Sequence, residues 1–391
     1  MSDSKNYDRR GVSATKSEVH AAIEGLDKGL FSKAFCKILP DIVAGDADFC
    51  NIMHADTAGT KTSLAYLYWR ETGDLSVWEG IAQDALVMNL DDMACVGCVE
   101  DIVVSSTIGR NKNLIPGEVI RTIIQYANRF AEDMRTHGIG LHLSGGETAD
   151  VGDIVRTIDV GYTTFARLPR KQLVVNNIQA GDVIVGWSSS GQASYETAYN
   201  GGMGSNGLTS ARHDVLEHRY AGQYPESFDP HTPRDVVYIG SRTLTETLDI
   251  EGQAVPVGKL LLSPTRTYLP PIKKLLDTHR EHIHGMIHCS GGGQTKVLHF
   301  LENKRVIKDN LLPLPPLFQL IQAESRTSWK EMYQVFNMGH RMEVYLPGEH
   351  VAAAIEAARA FGIEAQVVGR VEEAEINEVL IRSEHGEFLY R

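Results

Sequence analysis

The chain has 391 residues, 42% apolar and 23% charged, with a formal net charge of −12; that length holds two domains of ordinary size, each with its own core. An acidic balance without a Lys/Arg run argues against nucleic acid as a partner. No stretch approaches the ~20 apolar residues of a membrane span, and the opening MSDSKNYDRRG lacks a signal peptide's apolar segment, so a cytoplasmic location without membrane attachment is expected.

In chain order, the apolar run Phe49–Ala55 predicts a strand that feeds His54-Ala-Asp-Thr-Ala-Gly-Thr-Lys61. This is not a Walker A loop, because Thr60 separates Gly59 from Lys61. Taken alone, Asp56, Gly59 and Lys61 suit an ordinary turn. Residues 76–95 predict a helix in which Ile81, Ala85, Met88 and Asp92 share one stripe, since offsets of 4, 7 and 11 return to the same face. Asp92 therefore projects from an apolar side, where an ionised carboxylate needs a partner, hydrogen bonds or a metal. Asp91 lies about 100° away. The pair Cys95-Val-Gly-Cys98 follows this helix rather than opening one, and Cys36, Cys50 and Cys289 are scattered, so reduced, partly buried thiols are expected rather than a zinc or redox site.

Residues 116–137 predict a second helix, with Ile120, Ile123, Ile124, Ala127, Phe130, Ala131 and Met134 at helical spacing and Gly138 as its stop. A short strand, Ile139–Leu143, then leads to the predicted loop Ser144-Gly-Gly-Glu-Thr148, and Thr157–Thr164 is extended. The pattern lapses near residue 170, which divides the chain into domains 1–170 and 171–391. In the second half, AGDVIVGWSSSG (180–191) gives a strand and loop. Arg341–Leu346 alternates as a half-buried strand, and Glu349–Phe361 followed by Ala365–Val368 gives a helix and a strand. The fold class is mixed α/β (α+β) in two domains.

Asp56, Asp92, Glu147 and Lys61 all fall at predicted element ends in the first half. Mg²⁺ prefers oxygen ligands and shares them with substrate phosphates. A nucleotide triphosphate held through Mg²⁺ on Asp56, Asp92 and Glu147, with Lys61 on a phosphate oxygen, fits that set. The second half adds glycine loops: Ser188–Gly191, Ser205-Asn-Gly207, and His288-Cys-Ser-Gly-Gly-Gly293 before a helix starting near Gln294. Backbone N–H groups at a helix start attract anions. His288 is either a core histidine or a proton-transfer group.

Seven blocks in order carry a resemblance: DTAGTK (56–61), MNLDDM (88–93), SGGETAD (144–150), SSSG with SNG (205–207), SPTRTY (263–268), HCSGGG (288–293) and EMYQVFNMG (331–339). They resemble the D-G-V-G-T-K, M-x-x-N-D-[LI], G-G-E-T-A-E, S-S-G…S-N-G, P-T-R-I-Y, H-[LI]-T-G-G-G and E-M-x-R-T-F-N-M-G blocks of the aminoimidazole ribonucleotide synthetase (phosphoribosylformylglycinamidine cyclo-ligase) family of purine biosynthesis. The resemblance implies an N-terminal ATP-binding domain that pairs in a homodimer and a C-terminal domain of the synthetase type. It implies ATP and Mg²⁺, and closure of formylglycinamidine ribonucleotide with release of ADP and phosphate. It places ATP at Asp56, Gly59, Thr60, Lys61, Gly145, Gly146, Glu147 and Thr148, the metal at Asp56, Asp92 and Glu147, and catalysis at Lys61, His288 and Asp92. The phosphorylated ribonucleotide would meet Ser189, Ser190, Gly191, Ser205, Asn206, Gly207, Arg266 and Gly291, Gly292, Gly293.

The chain also departs from the pattern. The glycine-rich segment ahead of the first block is missing, and the Asn of the N-D pair is Asp91. Gly204 stands where a His precedes S-N-G, QASYETAYNGGMG is inserted within that block, and F-N-M-G-[IV]-G-M becomes Phe336-Asn-Met-Gly-His-Arg-Met342. The alternative is another ATP-dependent phosphotransferase of the superfamily, thiamine-phosphate kinase-like or selenophosphate synthetase-like, although Cys36 lacks the setting of the latter's reactive residue.

Overall fold

The computed structural model describes residues 8–12 and 17–391; most of the opening segment examined for a signal lies outside them. The first half runs β1 (Ile38–Pro40), β2 (Phe49–Thr57), α1 (Lys61–Thr72), α2 (Val77–Ala94), β3 (Ile102–Arg110), α3 (Gly117–Thr136), β4 (Leu141–Asp150) and β5 (Ile158–Pro169). Its sheet has the order β1-β2-β5-β3-β4. Only β3 and β4 pair in parallel. In β5, Ile158, Val160, Tyr162, Thr164, Ala166 and Leu168 are buried, the period of two by which one face of a sheet meets a helical layer. The other face is open. β4 is an edge strand that contains the Ser144–Thr148 stretch predicted as a loop. Gly146 lets it run against β3, because a Cβ there would sit 2.1 Å from the Ser106 carbonyl oxygen.

α3 buries Val119, Ile123, Ala127, Phe130, Ala131 and Met134, while Ile124, at the margin of the predicted stripe, is 44% exposed. Pro116 immediately precedes its first residue, where no backbone N–H is needed. α2 differs in kind. Every residue of it except Glu79 and Gln83 is buried, the signature of a helix enclosed on all sides.

The second half contains β6 (Val183–Ser188), α4 (Leu208–Val215), the hairpin β7 (Thr247–Ile250) and β8 (Gln253–Pro256), α5 (Leu269–His279), β9 (Gly285–His288), β10 (Lys304–Lys308), α6 (Pro316–Ser325), α7 (Trp329–Val335), β11 (His340–Leu346), α8 (Val351–Arg359), β12 (Ala365–Glu373), β13 (Glu378–Ser383) and β14 (Gly386–Tyr390). Its sheet has the order β14-β13-β10-β12-β6-β11-β9. β11 was expected to be half-buried, yet all seven of its residues are buried; both faces are covered, so alternation in its sequence does not mark a solvent side. Its pairing with β6 slips at Arg341, with His340 opposite Ser188 and Met342 opposite Trp187, a β-bulge.

The two sheets meet at α2. A Cβ on Gly80 would lie 3.2 Å from the Pro264 ring, and Gln83 Nε2 donates to the Thr265 carbonyl at 2.8 Å. Among the described residues no helix is long and apolar enough to cross a membrane.

Candidate active site at the junction of the two sheets

A helix buried on all sides cannot leave a carboxylate unpaired, so the acids of α2 identify what the junction is built from. Asp84 Oδ1 accepts from Lys61 Nζ at 2.8 Å, from the Thr265 backbone N–H at 2.7 Å and from Thr265 Oγ1 at 2.6 Å. Lys61 also donates to the carbonyls of Gly204 (3.0 Å) and Ser263 (2.6 Å). An ammonium has three N–H donors, and all three are used. Burial pushes the Asp84 carboxyl up and the Lys61 ammonium down, each opposed by the other's charge. Lys61 was expected on a phosphate oxygen; it is instead fully buried at the start of α1, bonded to the 204 and 263–265 segments. Gly59 and Thr60 are exposed just before it.

Asp91 accepts from Thr267 Oγ1 at 2.7 Å and from the Tyr268 N–H at 2.9 Å. Burial pushes its carboxyl up to about 6, against the pull of His288 and these hydrogen bonds. Asp92, on the next face, reaches two imidazoles. Its Oδ1 lies 2.7 Å from His288 Nδ1 and its Oδ2 lies 3.4 Å from His54 Nε2. The Asn89 amide fixes the His54 tautomer. Asn89 Nδ2 donates to the carbonyls of Ala85 and Asp56, so its Oδ1 faces His54 Nδ1 at 3.0 Å and accepts the ring hydrogen there. By the same logic His288 carries its hydrogen on Nδ1, toward Asp92. His288 Nε2 is then a lone pair, buried and without a partner, which is the condition of a proton acceptor held ready.

The glycine loops of the second half do converge. Ser189 Oγ donates to Asn337 Oδ1 at 2.7 Å, the Gly339 N–H reaches the same oxygen at 3.1 Å, and Asn337 Nδ2 donates to the Gly202 carbonyl at 2.8 Å. Ser190 and Gly191 follow, half-buried. Ser205 Oγ lies 3.1 Å from Thr265 Oγ1. Gly207 opens α4 in a left-handed conformation, and a Cβ on it would fall 2.3 Å from the Phe336 ring. A Cβ on Gly293 would fall 2.6 Å from the Phe336 carbonyl oxygen, and one on Gly291 would touch the Asn206 amide at 3.6 Å; Gly292 is left-handed ahead of the short 3₁₀ helix Gly293–Phe300. Arg266 is already occupied. It gives Nε and Nη2 to Glu196 at 3.0 and 2.6 Å and Nη1 to the carbonyls of Ser188 and Ser190.

The expected metal set does not assemble within one chain. Paired residues run Asp56–Tyr162–Ser106–Gly146 in one row and Thr57–Gly161–Thr107–Glu147 in the next. Neighbouring rows point to opposite faces, so Asp56 lies on the helix-covered face and Glu147 on the open one. Three strand spacings of ~4.8 Å also hold their strands roughly 14 Å apart. Among the described residues no group of three His, Cys, Asp or Glu side chains could hold a metal ion. Gly145, Gly146, Glu147 and Thr148 are all exposed on β4. The five cysteines are buried and free, and burial raises each thiol.

Asp84, Asn337, Glu196, His54 and Arg341 were not singled out in the sequence. Asp84 was within reach, because it precedes Asp91 by seven residues and so shares its stripe. For the other four, no local spacing marks them.

A helix enclosed between two sheets, with acids answering to segments on both sides, defines a two-domain α/β protein with its polar site at the junction. The same fold occurs in hydrogenase maturation protein HypE (TM-score 0.52, 14% identity, 80% of this chain and 82% of that one). It also occurs in T. maritima PurL complexed with FGAR (TM-score 0.51, 13% identity, 93% of this chain), of which the chain spans about half, 47%. The chain belongs to the AIR synthase related protein family: the family's N-terminal domain matches residues 33–168 and its C-terminal domain residues 179–382. Among curated relatives, phosphoribosylformylglycinamidine cyclo-ligase of Methanocaldococcus jannaschii is 26% identical over 83% of this chain and 79% of its own length.

Proposed function

We propose that this protein is an ATP-dependent cyclo-ligase of purine biosynthesis that closes formylglycinamidine ribonucleotide to aminoimidazole ribonucleotide, releasing ADP and phosphate. The curated relatives carry this activity in their names. The observation in the structure that carries the reading is the Asp92–His288 pair, whose open nitrogen lies at the junction near the glycine loops.

The chemical obstacle is a poor leaving group. Transfer of the γ-phosphoryl group of ATP to the formyl amide oxygen breaks the bond to ADP and leaves that oxygen as a phosphate ester. The amidine nitrogen then bonds to the formyl carbon, the carbon–oxygen bond breaks, and phosphate departs. Nucleophile and electrophile belong to one bound molecule, so alignment supplies much of the rate. The attacking nitrogen must shed a proton, and His288 Nε2, with Asp92 holding the ring, accepts it. The exposed Gly59–Thr60 turn just ahead of α1 supports contact with ATP phosphates. Asp56 and Glu147 of one chain lie on opposite faces of the sheet, so the expected three-carboxylate set is given no joint role in these steps.

A homodimer is part of this reading. Met53, Phe165 and Val103 form one row across the open face of the first sheet, with Met53 60% and Val103 40% exposed. A second copy seated there would cover that row and lie over Glu147. Sedimentation equilibrium reading a monomer at micromolar concentration would remove this part.

The deciding experiment incubates the protein with ATP, MgCl₂ and formylglycinamidine ribonucleotide, and follows aminoimidazole ribonucleotide and ADP. Stoichiometric appearance of both is expected. ATP use with another small-molecule acceptor, and none with this substrate, would favour the second reading, a phosphotransferase; occupation of Arg266 by Glu196 of the inserted segment is the observation on its side.

A further inference from the structure

Arg341 stands where the cyclo-ligase pattern has glycine. It is the extra residue of the β11 bulge, and a bulge re-aims the side chain it carries. Here the side chain turns into the junction. Its guanidinium carbon is 5.5 Å from the centre of the Tyr268 ring, and Nη2 donates to the Arg266 carbonyl at 2.5 Å. Arg341 is only 2% exposed, yet Nε and Nη1 have no partner. A guanidinium has five N–H groups and cannot shed its charge, so one this deeply buried with two nitrogens unsatisfied calls for an anion.

Among the described residues, none of the protein's own carboxylates forms an ion pair with Arg341. Asp91 senses the Arg341 charge, but its oxygens are bonded to Thr267 and Tyr268. Asp84 accepts from Lys61 and Thr265 through Oδ1, while its buried Oδ2 has no partner. Glu196 answers Arg266 and leaves that arginine one free N–H of five. Gly204 provides the room: a Cβ on it would lie 3.1 Å from Arg341 Nη1, and the pattern has a histidine there. Three departures therefore meet at one place. Glycine has become Arg341, histidine has become Gly204, and an insertion has brought Glu196 onto Arg266.

We infer that Arg341 is the anion-recognising residue of this site in place of Arg266, its Nε and Nη1 forming the buried end of a subsite for a phosphate group beside Gly204 and Ser205. The inference rests on the proposed cyclisation only for what carries the phosphate. Two carriers share the chemistry, the 5-phosphate of a ribonucleotide and the phosphate chain of ATP.

The test titrates the full chain calorimetrically with ribose 5-phosphate and, separately, with the non-hydrolysable ATP analogue AMPPNP, for wild type, Arg341→Met and Arg341→Lys. Loss of at least tenfold in affinity for one probe in Arg341→Met, with a smaller loss in Arg341→Lys, is expected, and the probe affected names the carrier. Affinities for both probes within twofold of wild type in both variants overturn the inference, as does failure of wild type to bind either. Should Arg341→Met not fold, Arg341→Lys decides on the same twofold limit. Arg341-dependent binding without cyclisation would remove the function proposed above and keep this subsite; cyclisation with Arg341-independent binding would do the reverse.

Discussion

Asp92 and His288, 196 residues apart in sequence, share a 2.7 Å hydrogen bond across the junction, and the opposite nitrogen of the imidazole has no partner. The carboxylate sets the tautomer and leaves the Nε2 lone pair of His288 buried without a partner. For His288→Ala, kcat for cyclisation should fall by about 10²- to 10⁴-fold, with KM moving little. Asp92→Asn should lower kcat as well, because an amide can donate to Nδ1 and so stabilise the wrong tautomer. Steady-state kinetics on folded variants checks this; a His288→Ala rate close to wild type would take the imidazole out of the reaction.

Lys61 and Asp84 form a fully buried ion pair, and removing one member strands the other charge. Lys61→Ala should lower the unfolding free energy by about 3–5 kcal/mol, whatever it does to turnover. Replacing both residues, Lys61→Met with Asp84→Leu, should recover part of that loss. Urea denaturation read by circular dichroism measures both. An unshifted Lys61→Ala midpoint would mean that the three bonds to Lys61 contribute nothing.

The Asp91 carboxyl titrates at about 6 in the folded chain against an ordinary 3.8. The folded protein thus holds a proton that the unfolded chain releases. Its contribution favours folding fully below pH 3.8 and is lost as pH rises through about 6. Asp91→Asn cannot titrate, so its stability relative to wild type should rise over that window, by up to about 3 kcal/mol. Unfolding free energies of the two proteins at pH 4 and pH 7.5 give the comparison, and a pH-independent difference would contradict it.

At Gly207 the backbone is left-handed and a side chain would meet the Phe336 ring at 2.3 Å. Gly207→Ala should therefore cost about 1–3 kcal/mol through overpacking, with an added strain at positive φ. Differential scanning calorimetry would show the lowered transition; an unchanged one would mean that Phe336 yields freely.

Periodicity made α2, α3 and α8 readable, with β2, the start of β4, β5, β6, β11 and β12, and left the other helices and strands unread. The predicted 76–95 and 116–137 differ by a residue at each end from Val77–Ala94 and Gly117–Thr136, because local spacing and stop residues set those limits. Gly145 and Gly146 misled: two glycines signal a turn, but here Gly146 lets an edge strand run close to its neighbour and Gly145 takes a positive φ beside the register shift, a long-range fact. Lys61 misled for a related reason. Its acceptors come from residues 143 and 202 positions further on, and nothing beside a lysine tells whether distant carbonyls will enclose it. Glu147 was grouped with Asp56 because both end apolar runs, whereas strand register decides which face each occupies. His288 and Asp92 were both picked out; their mutual contact was not, since only folding joins α2 to the end of β9.

Because α2 belongs to the first sheet by sequence and to both by contact, neither half is a finished object. A fragment ending near Pro169 would turn Asp84, Asp91 and Asp92 toward water across a bare apolar surface, and the remainder would keep Thr265, Tyr268 and His288 with nothing to hold. Splitting this gene between two plasmids should give soluble product only when both pieces are made together.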